Sequence, residues 1–425
     1  LPLHIEQGLN NVRPLPFVVH KILELAKEDP VDFHAMSRTV ASDQTLSALI
    51  MSIANSAGLS NRYKQITSLK QAMLMLGRQY VVQIVVTYTF QCLQSLGATK
   101  WPLGGERFWR HCLAVGTMAS QIAMKIGLPY PEEAFVAGLM HDIGKIVLLN
   151  EYKTAYTQLL QSTRNNLMPM FLNEKKLFGC NHAEVGAALC IRWRIPSPLI
   201  SAVEEHHFNP NSVFAAIVNL VGTANRTVKL LGFGDGSDAF ICMHPHAGLA
   251  LTRLAMADKL ELYRNLASTV DKLGNVTLDR VEKDPDSMES PAYNEHALYF
   301  DLTNQTEREF LLCAAARLSY TNLGVILSLD EADNLRGDLQ NLLITDRPEI
   351  WEAKRSAWNQ VIDYGQWRQK QPPQPGNRVN YVRLLQWLER SIQTGASPED
   401  DPMEAPEPDA DPALPEMEAA SASTE

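Results

Sequence analysis

Apolar residues recur at three- and four-residue steps over most of the first 270 positions, the spacing that lines them along one face of a helix. Between Glu106 and Ile126 the apolar set is Phe108, Cys112, Val115, Met118, Ala119 and Ile122, and His111 falls on the same inward stripe. Residues 132 to 142 continue the pattern through Phe135, Val136 and Leu139, with Gly144 placed to end that helix. Asn181 and Glu184 have the spacing of a capping box, which puts His182 in a first turn. Ser197 and Pro198 read as cap and first residue of a helix with Ile200, Val203 and His207 on one side. Nearer the N-terminus, Asp43 can cap a helix whose Leu46, Leu49, Ile50 and Ile53 share a face, and Asn55 to Gly58 end it. Thr67 or Ser68 opens the next, with Ala72, Met73, Leu76 and Val82 on its buried stripe.

Later stretches extend the helical expectation. Leu249, Leu251, Leu254, Leu260, Leu262, Leu266 and Val270 predict one or two helices closing the first domain, and residues 274 to 300 read as polar loops. Glu307 to Tyr320, Asp330 to Leu343 and Glu349 to Trp367 fit amphipathic helices, the last with Trp351, Trp358 and Tyr364 as packing anchors. Gln371 to Gly376 reads as a stiff linker before a short helix through Tyr381, Leu384, Leu385, Trp387 and Leu388. The predicted fold is therefore all-α.

Composition adds a core and a tail. With 425 residues, 45% of them hydrophobic, the chain can bury a large core and is expected to form two units. The segment from Ser397 to Glu425 holds ten acidic residues and no Lys or Arg, which accounts for the whole net charge of −10. Rich in Pro, Ala, Glu and Asp, it is expected to be a disordered acidic tail. The charge-balanced remainder gives no electrostatic case for direct nucleic-acid binding. Six cysteines without short paired spacing read as reduced core residues. No charged-then-apolar leader and no long apolar run supports export or a membrane span.

Candidate chemistry centres on His141-Asp142, within the run Gly138 to Lys145. An imidazole beside a carboxylate supplies two metal ligands at one point. With His141, the residues His111, His182 and His206-His207 lie on four predicted helices that could each turn a histidine toward the same spot. Lys145 could steady a phosphate or complement a helix terminus. Each histidine alone could equally be a hydrogen-bonded core residue. Gly232 to Asp238 resembles a phosphate or calcium loop in composition but lacks the spacing of either, and His244-Pro245-His246 reads as a turn. Neither enters the candidate site.

Arg110-His111 and the Gly138 to Lys145 segment resemble the HD superfamily of metal-dependent phosphohydrolases. Upstream, Pro14-Leu15-Pro16, Ala41 to Leu46, Ile53 to Ala57, Ile66 to Ala72 and Leu76-Gly77 follow in an order that resembles the HDOD domain, the HD-related output domain of bacterial signalling proteins. The likeness extends over roughly residues 10 to 270. It implies a two-lobed helical domain with residues 1–100 as the first lobe and 101–275 as an HD-like lobe. A helical extension over 276–370, a linker and short helix over 371–395 and the tail over 396–425 would follow.

The resemblance further implies a divalent ion, iron, manganese or magnesium, held by His111, His141, Asp142, His182, His206 and His207, with Lys145 as the one catalytic candidate. Two departures argue against catalysis. The superfamily's later aspartate would fall near Gly222, and no acidic residue occurs from Asn209 through Leu231. After His206-His207, Phe208-Asn209-Pro210 stand where the cyclic di-guanylate hydrolases of the superfamily carry a glutamate and then a Gly-Tyr-Pro signature. The expected function is thus a catalytically weak or inactive cytoplasmic regulatory module that binds other signalling proteins, with homodimer formation open to it. A metal-dependent phosphohydrolase acting on a nucleotide is the alternative, and a nucleotide sensor that does not hydrolyse is a third.

Overall fold

A computed structural model describes residues 1–12, 15–56, 66–95, 101–104, 106–129, 131–162, 168–207, 213–238, 240–242, 249–277, 293–317, 320–325, 340–358, 360–371 and 378–394. The acidic tail, the linker from Pro372 to Gly376, Phe208-Asn209-Pro210 and His244-Pro245-His246 lie outside them. The described chain is mostly helical. Its first lobe comprises α1 (Leu3–Asn11), α2 (Phe17–Leu25), α3 (Phe33–Val40), α4 (Gln44–Ser56), α5 (Leu69–Leu76) and α6 (Arg78–Ser95). Sequence cues act locally here: Asp43 accepts the Leu46 N–H at 2.9 Å, and Ser68 caps α5 through Gln71.

The second lobe holds α7 (Arg107–Lys125), α8 (Pro131–Met140), α9 (Gly144–Glu151), α10 (Lys153–Ser162), α11 (Met170–Phe178), α12 (His182–Arg192), α13 (Ser197–Glu205) and α14 (Ala215–Leu230). A short strand β1 (Phe240–Cys242), α15 (Leu249–Thr252) and α16 (Met256–Thr277) follow. Buried along most of its length, α7 is the axis of this lobe and packs on α8, α14 and α16.

Two close approaches set the spacing of the lobe. A Cβ on Gly138 would lie 2.8 Å from the Gly116 Cα and 2.9 Å from the Val115 carbonyl oxygen, so α7 and α8 meet backbone to backbone. Gly144 does not end a helix as expected. It opens α9, because a Cβ there would meet the His182 carbonyl and lie 2.7 Å from the Gly186 nitrogen, where α9 crosses α12. Asn181 and Glu184 do form the expected capping box on α12. At α13 the cap shifts by one residue: Pro196 precedes the helix, Ser197 makes no capping bond and Pro198 sits in the first turn.

The expected C-terminal helical extension is instead an α/β unit. β2 (Tyr293–Asp301), α17 (Gln305–Arg317) and β3 (Tyr320–Val325) are followed by β4 (Gln340–Thr345), a 3-10 helix (Pro348–Ala357), β5 (Gln360–Asp363), α18 (Tyr364–Lys370), β6 (Arg378–Asn380) and α19 (Tyr381–Thr394). Strands β3, β2, β4 and β5 form a sheet in that order, every pair parallel. Leu342, Leu343 and Ile344 are all buried, so this run is apolar on both faces and shows helical spacing and strand spacing alike. Trp351, Trp358 and Leu343 form a separate core cluster with Tyr299 and Val361 packed against it, which matches the expected anchoring role of the tryptophans. α17 packs on β2 and β3 and also on α14, α15 and α16, and buried Lys259 of α16 pairs with Glu309 of α17. The extension is therefore docked on the HD-like lobe.

Candidate metal centre

The six candidate ligands converge. His111 comes from the inward stripe of α7, His141 and Asp142 from the turn between α8 and α9, His182 from the first position of α12, and His206 and His207 from the turn that ends α13. Asp142 stands in the middle. Its Oδ2 lies 3.5 Å from His111 Nε2 and 3.3 Å from His141 Nε2, and its Oδ1 lies 3.1 Å from His182 Nε2 and 3.6 Å from His206 Nε2. Among the described residues two groups of potential ligand atoms result, His111, His141 and Asp142 in one and Asp142, His182, His206 and His207 in the other. One carboxylate serves both.

Backbone carbonyls fix which nitrogen faces the centre. His111 Nδ1 donates to the Phe233 carbonyl, His141 Nδ1 to that of Gly138 and His206 Nδ1 to that of Val203, each at 2.7 Å. A carbonyl can only accept, so the neutral rings carry their proton on Nδ1 and turn an Nε2 lone pair inward. Those three Nε2 atoms are buried without a hydrogen-bond partner among the described residues. Buried polar atoms normally find one. Three lone pairs left open toward a single carboxylate fit a cation, and second-layer bonds to the opposite ring nitrogen are how metal-binding histidines are commonly held.

His182 is held differently. Its Nδ1 donates to Glu174 Oε2 at 2.5 Å, Glu174 also accepts the His182 backbone N–H at 2.9 Å and the Tyr156 hydroxyl at 2.6 Å, and His182 Nε2 lies 2.8 Å from His207 Nε2. Burial works against a charged His182, but Glu174 and Asp142 more than offset it and push its pKa up to about 9. Burial dominates at His206, bringing it down to about 3, and holds His207, which stacks on Phe171, well below the ordinary value. Asp142 is opposed by burial too, yet His141, Lys145 and His182 keep its carboxyl well below the usual range.

Lys145 is a buried member of this cluster. Its Nζ lies 2.7 Å from Asp142 Oδ2 and donates to Asp235 Oδ2 at 2.8 Å and to Ser237 Oγ at 3.0 Å. Burial would neutralise the amine, but the two carboxylates outweigh it and raise its pKa. Lys145 also lowers Asp235, against the effect of burial.

Sequence reasoning missed Asp235, Ser237 and Glu174. Asp235 and Ser237 lie in the Gly232 to Asp238 loop, whose spacing matches no phosphate or calcium motif; in the structure both accept from Lys145. Glu174 had no signal beyond a single acid on a largely apolar helix face. At Gly222 a Cβ would sit 2.9 Å from both the His206 carbonyl oxygen and Arg226 Nη1, so the position expected of a further aspartate has no room for one.

A mostly helical core that gathers histidines from several helices around one aspartate is the pattern of an HD-type domain. Residues 12–209 match the model of the HDOD domain. An HDOD domain protein with unknown function from Geobacter sulfurreducens is 24% identical, with a TM-score of 0.53 over 64% of this chain and 95% of that one. A Marinobacter aquaeolei protein named for signal transduction is 19% identical, with a TM-score of 0.53 over 64% of this chain and 60% of its own. These likenesses establish the fold. Among curated sequences, an uncharacterized protein of Treponema pallidum is 24% identical over 230 residues, 52% of this chain, and the chain spans 44% of that relative. No helix among the described residues is long and apolar enough to cross a membrane.

Proposed function

We propose that this protein is a signalling module that acts by binding partners, and that its histidine centre holds one divalent transition-metal ion without sustaining efficient phosphohydrolysis. The observation that carries this reading is the lone carboxylate. Among the described residues, Asp142 is the only oxygen ligand in either potential ligand group, and Lys145 already neutralises one side of it. Counting Asp235 and Glu174 along with Asp142 against Lys145, the fixed charge around neutral imidazoles is two negative units. One divalent ion is close to balanced by that charge, whereas two would be crowded into a site with little anionic compensation.

The donor set also bears on the metal. Imidazole nitrogens suit iron, zinc, copper or nickel, whereas magnesium and manganese favour oxygen. His111, His141, Asp142, His182, His206 and His207 would hold the ion, which would supply Lewis acidity when bound. The chain's own residues orient the ligands: Phe233, Gly138 and Val203 carbonyls fix three rings, Glu174 fixes a fourth, and Lys145 holds Asp142.

A phosphohydrolase remains the second reading, favoured by the way the two Asp142 oxygens face separate histidine groups. Metal analysis paired with turnover assays on a general phosphodiester and on cyclic di-guanylate separates the two. One ion per chain and background turnover are expected. Two ions per chain, with metal-dependent hydrolysis abolished by Asp142→Ala, would overturn the regulatory reading.

A further inference from the structure

The segment between α14 and β1 touches the histidine centre at one end and the C-terminal unit at the other. At the centre, the Phe233 carbonyl fixes His111, and Asp235 holds Lys145. Ser237 donates to Asp235 from both its backbone N–H and its hydroxyl, and the Asp235 carbonyl accepts from Trp101 Nε1 at 3.3 Å. Next to Ser237, Asp238 pairs with Lys229 of α14 at 3.0 Å and accepts the N–H of Phe240, the first residue of β1, at 3.0 Å. β1 then pairs antiparallel with β6 through Phe240 and Asn380, Ile241 and Val379, and Cys242 and Arg378. β6 leads directly into α19, which packs on α14 and α17.

We propose that ion binding at the histidine centre is coupled to the β1–β6 strand pair, so that the C-terminal unit reads the loading state of the centre. This inference rests on the ion-binding reading above. A two-stranded pair this short is marginal by itself and depends on what anchors its strands. The anchor of β1 is the Phe233 to Asp238 segment. Loading changes the demands on that segment at two points. His111 must keep its Nδ1–H on Phe233 while its Nε2 engages the ion, and Lys145 leans further on Asp235 as Asp142 is drawn to the ion. Both changes hold the segment more firmly, and linkage requires that a firmer β1–β6 pair raise ion affinity in return.

The test uses the full chain and Co(II) as the probe. Hydrogen exchange followed by mass spectrometry should show the amides of 240–242 and 378–380 exchanging about tenfold more slowly once Co(II) is bound. Val379→Pro, which removes a β6 N–H, should weaken Co(II) affinity about tenfold, within the range of couplings between two linked sites. If one Co(II) binds per chain and exchange in both strands is unchanged, the coupling is wrong while the ion-binding reading stands. If no Co(II) binds, both fall together. Should Val379→Pro fail to fold, exchange in the unmodified chain still decides.

Discussion

Replacing Asp142 by Asn probes the charge of the centre with little change of shape. The carboxylate lies 2.7 Å from the Lys145 ammonium and 3.1 Å from His182 Nε2, the ring whose pKa is raised. Lys145, only 2% exposed, would be left among the described residues with Asp235 as its counter-charge, and His182 with Glu174. Breaking a buried ion pair by removing one member costs about 3–5 kcal/mol. The surviving Asp235 argues for the lower end, about 3 kcal/mol, or a fall of about 6–12 °C in melting temperature for a large domain. Ion binding should separate the variants further. At a free concentration one hundred times its Kd, an ion stabilises a site by about 2.7 kcal/mol. Wild type should gain this on adding Co(II) and Asp142→Asn should gain nothing. The assay is urea unfolding at pH 7 with and without Co(II). An Asn variant as stable as wild type without ion, or one with an undiminished Co(II) increment, refutes the central role given to this carboxylate.

Three further outcomes are expected. Glu174→Gln should weaken Co(II) binding by about 10–100-fold while retaining one ion per chain, measured by calorimetry; unchanged affinity would show that the Glu174 contact does not tune His182. Gly138→Ala should cost about 1–3 kcal/mol or more, because the added carbon lies within 3.0 Å of the α7 backbone, and a neutral result in thermal melts would mean the helices separate easily. Stability of the ion-free protein should peak near pH 6.5. His182, raised to about 9, contributes fully below 6.5 and loses its contribution as pH climbs through 9, whereas the depressed His206 and His207 cost stability as pH falls below 6.5. Melts from pH 4 to 10 that rise steadily in either direction would contradict this balance.

The helical lobes and their chemistry were legible because short-range rules govern them. Asp43, Ser68 and the Asn181–Glu184 box cap their helices within three residues, and the apolar spacing of α7 turned His111 inward as expected. The α/β unit was not legible: buried parallel strands such as β4 lack the alternation that marks a half-exposed strand, and their partners lie far along the chain. Asp235 was missed for a related reason, since its value depends on Lys145, ninety residues away.

What the sequence alone determined, then, is which side chains the chain can bring to a centre and which helices carry them, because periodicity and capping act over one or two turns. Only tertiary packing decided the rest. The crossing of α7 and α8 at Gly116 and Gly138, and of α9 and α12 at Gly144 and Gly186, sets how close those side chains come. The long-range bonds of Phe233, Glu174 and Asp235 decide which nitrogen faces inward and where charge is neutralised, since the energy of a buried charge depends on every neighbour within a few ångströms and not on its place in the chain.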